Sequence, residues 1–211
     1  MTAVTLKEKA YIELRKSILN GDLKPGEFLT ERMLVEMLGM SRTPIRSALE
    51  RIDVEGLAKY TPNKGLVVSE ISVTQVVEFF DFRMAIEGYI AKRLATRAWS
   101  EAEIASLRDN LREQVRCVEA NDFARFTAAD AAFHRLLADV YDNAEIARTM
   151  ERLQDMLYRM ALRVLRKDLS RIRTSYEDHL RIFELILDGR GEEAAALMEE
   201  HLDFGKRTLL S

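Results

Sequence analysis

The sequence is poor in cysteine and has no long apolar stretch. Cys117 is its one cysteine in 211 residues, which excludes a disulfide framework and a zinc ribbon built on cysteines. A lone cysteine is also typical of a protein kept in a reducing compartment. Because no run of about 18 apolar residues occurs, we expect no membrane-spanning helix and a cytoplasmic location. Cys117 falls in a helical stretch and is expected to be buried.

An excess of positive charge is missing as well. The chain has 32 basic and 35 acidic residues, for a net charge of −3, which argues against a protein that coats nucleic acid non-specifically. The charge is unevenly divided, since residues 1–70 carry +1 and residues 71–211 carry −4. The acidity therefore belongs to the second part of the chain.

Proline and glycine are scarce after residue 70. All three prolines and five of the nine glycines precede that point. Because these residues interrupt regular structure, the later part is predicted to be almost unbroken helix. We therefore predict two domains, covering residues 1–70 and 71–211, in a mainly α protein.

The first segment has the pattern of a winged helix-turn-helix. Apolar spacing predicts helices at about 5–19, 30–38 and 42–55, with a tight turn at Gly39 between the second and third. Two β-type runs, LAKYT and LVVS, are joined by the turn residues 62–65 and predict a two-stranded wing.

The second segment divides into amphipathic stretches with short connections. They predict an antiparallel bundle of about six helices, at residues 73–98, 101–120, 122–141, 143–167, 170–188 and 191–210.

Two arginines stand at the start of the third predicted helix, opposite its apolar stripe. Arg42 and Arg46 are four residues apart, and Ser41 and Thr43 lie beside them. Arginine can bond guanine with two donors, hydroxyls can bind phosphate, and the N-terminal part of a recognition helix enters the major groove. An isolated pair of this kind would more often be a solvated surface. Its place in a helix-turn-helix favours DNA binding.

The stretch 21–68 resembles a known family. It contains G-D-L-K-P-G-E, L-G-M-S-R-T-P-I-R-S-A-L-E-R, E-G-L and P-N-K-G-L-V-V, and is similar to the GntR family of bacterial winged-helix transcription regulators. The resemblance implies the following DNA contacts: Arg32, Arg42 and Arg46 as the main ones, Ser41 and Thr43 as supporting ones, and Lys64 with Gly65 at the wing.

All three histidines fall on core-facing positions of the predicted bundle. Asp130 and His134 are four residues apart on one helix, and His179 and His201 lie in the apolar stripes of two others. A single such histidine is more often a hydrogen-bonded core residue. Three unpaired imidazoles are costly to bury together, whereas three imidazoles and one carboxylate suit zinc, with nickel, manganese or iron as alternatives.

The second segment also resembles a family module. It is similar to the FCD ligand-binding domain of the FadR-like branch in five stretches: F-R-M-A-I-E, D-A-A-F-H, D-N-A-E, Y-E-D-H-L-R-I-F and L-M-E-E-H-L. Its six predicted helices resemble the VanR-type subgroup of that branch. The resemblance implies that Arg83 binds the carboxylate of a small organic acid whose other oxygens complete the metal shell. The alternative is an internal ion pair of Arg83 with Glu87, four residues on.

These features together predict a regulator whose affinity for DNA responds to an acid. A winged helix reads one half-site, so a homodimer is expected to bind an inverted repeat in double-stranded operator DNA. The rival hypothesis is a metal-dependent hydrolase or other metalloenzyme with activated water at the Asp/His₃ site. A third is a purely structural metal. Only the regulator accounts for residues 21–68, and we expect no enzyme.

Overall fold

A computed structural model describes residues 5–211, which divide between Ser72 and Val73 into two compact units. Within this range, none of the helices has both the length and the apolar character that crossing a membrane requires.

The first unit contains three helices and three short strands. In chain order these are α1 (Leu6–Asn20), β1 (Phe28–Leu29), α2 (Glu31–Leu38), α3 (Arg42–Val54), β2 (Ala58–Thr61) and β3 (Gly65–Val68). Thr5 and Thr30 cap α1 and α2 through their hydroxyls, and Gly21 and Gly39 end these helices in the left-handed conformation. The predicted helix-turn-helix is confirmed.

The wing differs from its prediction by one strand. β3 pairs antiparallel with β2, as expected, but its other edge pairs with β1, so the order is β1-β3-β2. The prediction of two strands was therefore incomplete. Two residues of β1 are too few to show an alternating pattern, and their pairing with β3 is a tertiary contact.

The core of the first unit forms where α1 packs on α3. Its fully buried side chains include Leu14, Ile45, Leu49, Ile52 and Leu66. Burying the apolar stripe of α3 turns the opposite face of that helix, with its arginines, outward.

The second unit is a bundle of six helices within the described residues. They are α4 (Val73–Leu94), α5 (Glu101–Ala120), α6 (Phe123–Tyr141), α7 (Ala144–Lys167), α8 (Arg171–Leu187) and α9 (Gly191–Leu210). α4 ends four residues before its predicted end. The Trp99 indole donates a hydrogen bond to the Leu94 carbonyl at 3.1 Å and so satisfies a carbonyl of the last turn.

α6 lies inside this bundle and contacts α4, α5, α7 and α8. Ten of its residues are buried, including Phe126 and Phe133, neither of which is exposed at all. Cys117 is buried beside Phe126, as predicted. Because α6 is enclosed on several sides, Thr127, Asp130 and His134 are buried together with its apolar side chains.

α4 and α9 approach each other closely at two glycines. A Cβ atom on Gly191 would lie 2.7 Å from the Lys92 carbonyl oxygen, and one on Gly205 would lie 2.9 Å from the ring of Phe80. Any other residue would therefore separate the two helices or displace their side chains.

Candidate metal centre and nucleic-acid interface

The start of α3 presents a polar, exposed group of side chains. Ser41, Arg42 and Thr43 are all exposed, and Arg42 makes no ion pair within residues 5–211. Ser41 occupies the N-cap position, yet its hydroxyl makes no capping hydrogen bond. The hydroxyl and the first N–H groups of α3 are therefore available to an anion.

Arg46 makes hydrogen bonds within the first unit that the sequence did not predict. Its guanidinium bonds the Glu31 carboxylate at 3.0–3.2 Å and the Asn63 side-chain oxygen at 2.7 Å, although its side chain stays 43% exposed. Arg46 thus links α3 to the start of α2 and to the wing turn.

The remaining predicted DNA contacts have different surroundings. Arg32 is highly exposed and lies 3.8 Å from Glu36. Lys64 is exposed in the wing turn, whereas Gly65 is buried. A Cβ atom on Gly65 would lie 2.2 Å from the Leu29 carbonyl oxygen, so this glycine permits the close approach of β3 to β1.

Glu31 is a buried acceptor that holds the helix-turn-helix to the wing. Besides Arg46, it accepts bonds from the Tyr60 hydroxyl at 2.7 Å and the Asn63 backbone N–H at 3.3 Å. Burial alone would raise the pKa of Glu31, but the bonds from Arg46, Tyr60 and Asn63 lower it below the usual value. The same contact and burial raise the pKa of Tyr60 to about 12.

Replacing Glu31 by glutamine is expected to destabilise the first unit by about 1–2 kcal/mol at pH 7, because charged hydrogen bonds become neutral. A lowered folded pKa gives stability that is present above the unfolded value of about 4.3 and is lost as pH falls through the folded value. Glu31→Gln should therefore lose less stability than wild type between pH 7 and pH 3. Amide hydrogen exchange in α3 and β2 measures the loss of stability at pH 7 and its change between pH 7 and pH 3.

The matched control is Glu36→Gln, since Glu36 lies on the same helix with its side chain 68% exposed. It should change stability by less than about 0.5 kcal/mol. Equal effects of the two substitutions would contradict the role assigned to Glu31.

The four residues predicted to hold a metal come together in the second unit. Asp130 and His134 lie on α6, His179 on α8 and His201 on α9, and one ligand atom from each lies within 4.8 Å of the others. His179 Nε2 is 3.2 Å from His201 Nε2 and 3.7 Å from Asp130 Oδ1. Two ligands of a tetrahedral Zn²⁺ lie about 3.3 Å apart, so these separations fit.

Each histidine directs its Nδ1 atom to a different polar side chain. His134 Nδ1 lies 2.5 Å from Glu87 Oε2, and His201 Nδ1 lies 3.1 Å from Asp178 Oδ2. Such partners orient metal-binding imidazoles and leave the other ring nitrogen for the ion.

His179 has an amide partner instead of a carboxylate. Its Nδ1 lies 2.8 Å from Gln114 Oε1, and Gln114 donates through Nε2 to Asn110 Oδ1 at 2.7 Å. Since Gln114 uses its N–H group on Asn110, its oxygen accepts from His179. The Nε2 atom of His179 then carries a free lone pair, as a metal ligand must.

The residues fit a divalent cation by a second test. Both ring nitrogens of His134 are buried without a hydrogen bond among residues 5–211, and Nδ1 has only its close ion-pair contact with Glu87, so Nε2 is costly to bury unless it binds something. Burial lowers the pKa of His179 well below its usual value, and the charges of His201 and His134 lower it further. Burial also lowers the pKa of His201, partly offset by Asp178. Neutral imidazole is the form that coordinates metal.

Arg83 forms the ion pair with Glu87 that the sequence left open. Its Nε donates to Glu87 Oε1 at 2.5 Å and its Nη2 to Oε2 at 3.3 Å, and both side chains are buried. Burial would raise the pKa of Glu87, but Arg83 and His134 together lower it to about 2. Arg83 also lines a small cavity beside Asp130 and His201.

Sequence reasoning missed the residues that surround the cluster. Arg171 lines the same cavity and donates to Asp178 Oδ2 at 2.6 Å. Asp178 therefore contacts both an arginine and a histidine of the cluster, as Glu87 does. No local pattern around Asp178 indicates this role. The contact of Gln114 with His179 could not be predicted either, because the two residues are 65 positions apart in the sequence.

Two family matches cover most of the chain. Residues 6–68 match the bacterial regulatory proteins of the gntR family, and residues 78–204 match the FCD domain. The chain is a GntR-family regulator. Its FCD domain fits the FadR-like branch, and the resemblance seen in the sequence is confirmed.

The GntR regulator is similar to curated proteins along most of its length. It is 32% identical to the Nta operon transcriptional regulator of Aminobacter aminovorans over 179 residues, covering 85% of this chain and 82% of that one. It is 29% identical to the transcriptional repressor RspR of Escherichia coli, covering 93% and 86%. These relatives are named as regulators of transcription, not as enzymes.

A solved structure shares the fold. A GntR-type transcriptional regulator from Rhodococcus sp. RHA1 matches with a TM-score of 0.78 at 20% identity, covering 97% of each chain. The fold of this GntR regulator is therefore that of known members.

Proposed function

We propose that this protein binds operator DNA as a homodimer and that a small organic acid at a metal-centred cavity changes its affinity for DNA. The observation that carries the proposal is that one chain combines an exposed, arginine-bearing helix start with a buried Asp/His₃ cluster. One winged helix reads a single half-site, and a twofold dimer reads an inverted repeat.

Residues 1–70 form the DNA-reading domain in this proposal. Arg42 contacts a base edge, since its exposed side chain has no competing ion pair with the described residues 5–211 and stands at the start of α3. Ser41 and Thr43 bind phosphate, Lys64 contacts the backbone or minor groove with Gly65 shaping its turn, and Arg32 adds a phosphate contact. Arg46 would exchange part of its bonding to Glu31 and Asn63 for DNA.

Residues 71–211 form the sensing domain. Asp130, His134, His179 and His201 would hold a divalent ion, most simply zinc, with nickel, manganese or iron as alternatives. When bound, the ion supplies a positive centre that attracts a carboxylate. Arg83 is a candidate contact for the same carboxylate, although Glu87 already occupies its guanidinium fork.

Coupling between the two sites follows from differential binding. An acid that binds one arrangement of the dimer better than the other shifts the population toward it and so changes operator affinity. We propose sensing and not catalysis because the matched relatives are named as regulators.

Replacing Arg42 by alanine is expected to weaken operator binding by about 1–3 kcal/mol and to relax sequence preference at one position of the half-site. The reason is the loss of two donors to a base edge. Fluorescence anisotropy with operator and mismatched duplexes at several salt concentrations measures both effects.

The matched control is Arg116→Ala, which removes the same charge from an exposed arginine of the second unit. It should leave affinity within about twofold. Unchanged operator binding by Arg42→Ala would remove Arg42 from the recognition set.

A further inference from the structure

An apolar groove lies on the surface of the second unit between α5 and α8, and we call it the α5/α8 groove. It has a volume of about 320 Å³, and its apolar lining consists of Leu111, Val115, Tyr176, Leu180, Phe183 and Leu187. Leu111 and Phe183 are buried in it, whereas Leu187 stays 37% exposed. A contiguous apolar surface with a polar border is typical of an interaction site.

The two helices run antiparallel along this groove. Gln114, in the middle of α5, contacts His179, in the middle of α8. Cys117, farther along α5, packs in one cluster with Ile172, which is nearer the start of α8. Residues near the start of α5 therefore lie at the level of residues near the end of α8.

The two sides of the groove carry opposite charges at this level. On the α5 side, Arg108 is exposed and forms no ion pair with any residue between 5 and 211. Arg112 follows one turn later and pairs with Asp109 of its own helix. On the α8 side, Glu184 is 51% exposed and lies 3.3 Å from Arg181.

A second copy of this chain fits the charge pattern through one twofold axis. An axis that runs along the groove, parallel to the helices, places α5 of each copy on α8 of the other and keeps every residue at its level. Arg108 then faces Glu184 of the partner subunit, and this contact occurs twice. An axis perpendicular to the helices would place α5 on α5 and bring the two copies of Arg112 together, where like charges repel.

We infer that the α5/α8 groove is the surface through which two copies of this chain form the homodimer. The apolar side chains of the two grooves pack face to face, and the charged pairs at the border fix the direction of the axis. Because His179 lies on α8, one helix takes part both in the dimer contact and in the metal cluster. This inference rests on the proposed function, in which the regulator is a homodimer, and names the surface that joins the two copies.

Replacing Val115 by glutamate tests the apolar contact. Val115 lies half-buried in the groove, and the substitution places one charge in each half of the interface. The dissociation constant of the dimer, measured by sedimentation velocity on the whole chain, is expected to rise at least about 100-fold. The control is Leu169→Glu, which changes a side chain that is 60% exposed and lies outside the groove, and it should change the constant less than about threefold.

Charge reversal tests the direction of the axis. Arg108→Glu and Glu184→Arg should each weaken the dimer about 10- to 100-fold, because each creates two contacts between like charges. The double variant restores opposite charges across the axis and should dimerise within about threefold of wild type. Arg116→Glu is the control, since Arg116 is exposed on α5 but does not line the groove, and it should have an effect below about threefold.

Circular dichroism and elemental analysis establish that each variant is folded and holds as much metal as wild type. If Val115→Glu does not fold, Leu187→Lys replaces it, because it places a cation near the partner's Arg108 at an exposed position and should weaken the dimer at least about tenfold.

Three results would contradict the inference at different points. A folded Val115 or Leu187 variant that dimerises as tightly as wild type would overturn the groove as the interface and leave the homodimer standing. A double charge variant no tighter than either single one would overturn the proposed axis. Wild type that stays monomeric at every concentration, both free and on operator DNA, would overturn this inference together with the homodimer of the proposed function.

Discussion

The His134→Ala protein is expected to bind metal much more weakly than wild type and to lose it to a chelator. His134 Nε2 is a buried nitrogen with no other partner, so the ion is the group that satisfies it. A structural four-ligand zinc site contributes about 10–16 kcal/mol, so one imidazole accounts for about 2–4 kcal/mol, or a 30- to 1,000-fold loss of affinity. Elemental analysis of the purified protein and competition with a chromogenic chelator measure the loss.

The control for this substitution lies on the same helix. Asp139 is exposed on α6 and pairs with Arg135 at 3.5 Å, so Asp139→Ala should keep one metal per chain. A chelator should lower the melting temperature of wild type and of this control, but not of His134→Ala, because only bound metal stabilises by mass action. Metal affinity of His134→Ala equal to that of wild type would show that the ion is held elsewhere. Operator binding by the metal-free protein should survive.

Replacing Glu87 by alanine is expected to lower the free energy of unfolding by about 3–5 kcal/mol in chelator. Arg83 is 4% exposed and Glu87 is its partner in two hydrogen bonds, so the substitution leaves a buried charge without compensation. Denaturant unfolding of the metal-free proteins measures this effect without a contribution from the ion.

Two further variants separate the ion pair from simple loss of volume. Asp139→Ala breaks an exposed i, i+4 pair and should cost less than about 0.5 kcal/mol. The double variant Arg83→Met with Glu87→Leu should recover most of the loss, because apolar residues of similar volume replace the pair. If the double variant is as unstable as Glu87→Ala, the cause is packing and not the unpaired arginine.

The meeting of Asp130, His134, His179 and His201 in the core was predictable because each residue has a local signature. His179 and His201 lie in apolar stripes with helical spacing, and Asp130 stands one turn before His134 on the same helix. Helical geometry directs such side chains into a core whatever the neighbouring helices are. Caps and short connections located most helix limits for the same reason, since capping is a local interaction, whereas α4 ends four residues before its predicted end.

The surroundings of these four residues were not predictable because they depend on tertiary contacts. Glu87 was considered only as a partner for Arg83, four residues away, yet it also contacts His134 from another helix. Arg171 stands in a sequence with arginines at nearby positions, and nothing local separates the buried one from the exposed ones. The third strand of the wing was missed for the same reason, since two residues pair only after β3 is in place.

The surroundings of the arginines on α3 were not predictable from the sequence either. Spacing identified Arg42 and Arg46 as a pair, but it could not show that Glu31 and Asn63 hold one of them and leave the other without an ion pair. The two arginines are therefore unequal. Arg42 has the greater freedom to adapt to a base sequence, and Arg46 the more fixed position.

The close approach of α4 and α9 at glycines has a mechanical consequence. Gly205 follows His201 by one turn on α9, and Gly191 lies against Lys92 near the other end of the contact. Two helices in close contact at both ends are expected to resist sliding past each other. Because Arg83 and Glu87 lie on α4 and His201 lies on α9, this contact is expected to fix the distance between the buried ion pair and His201.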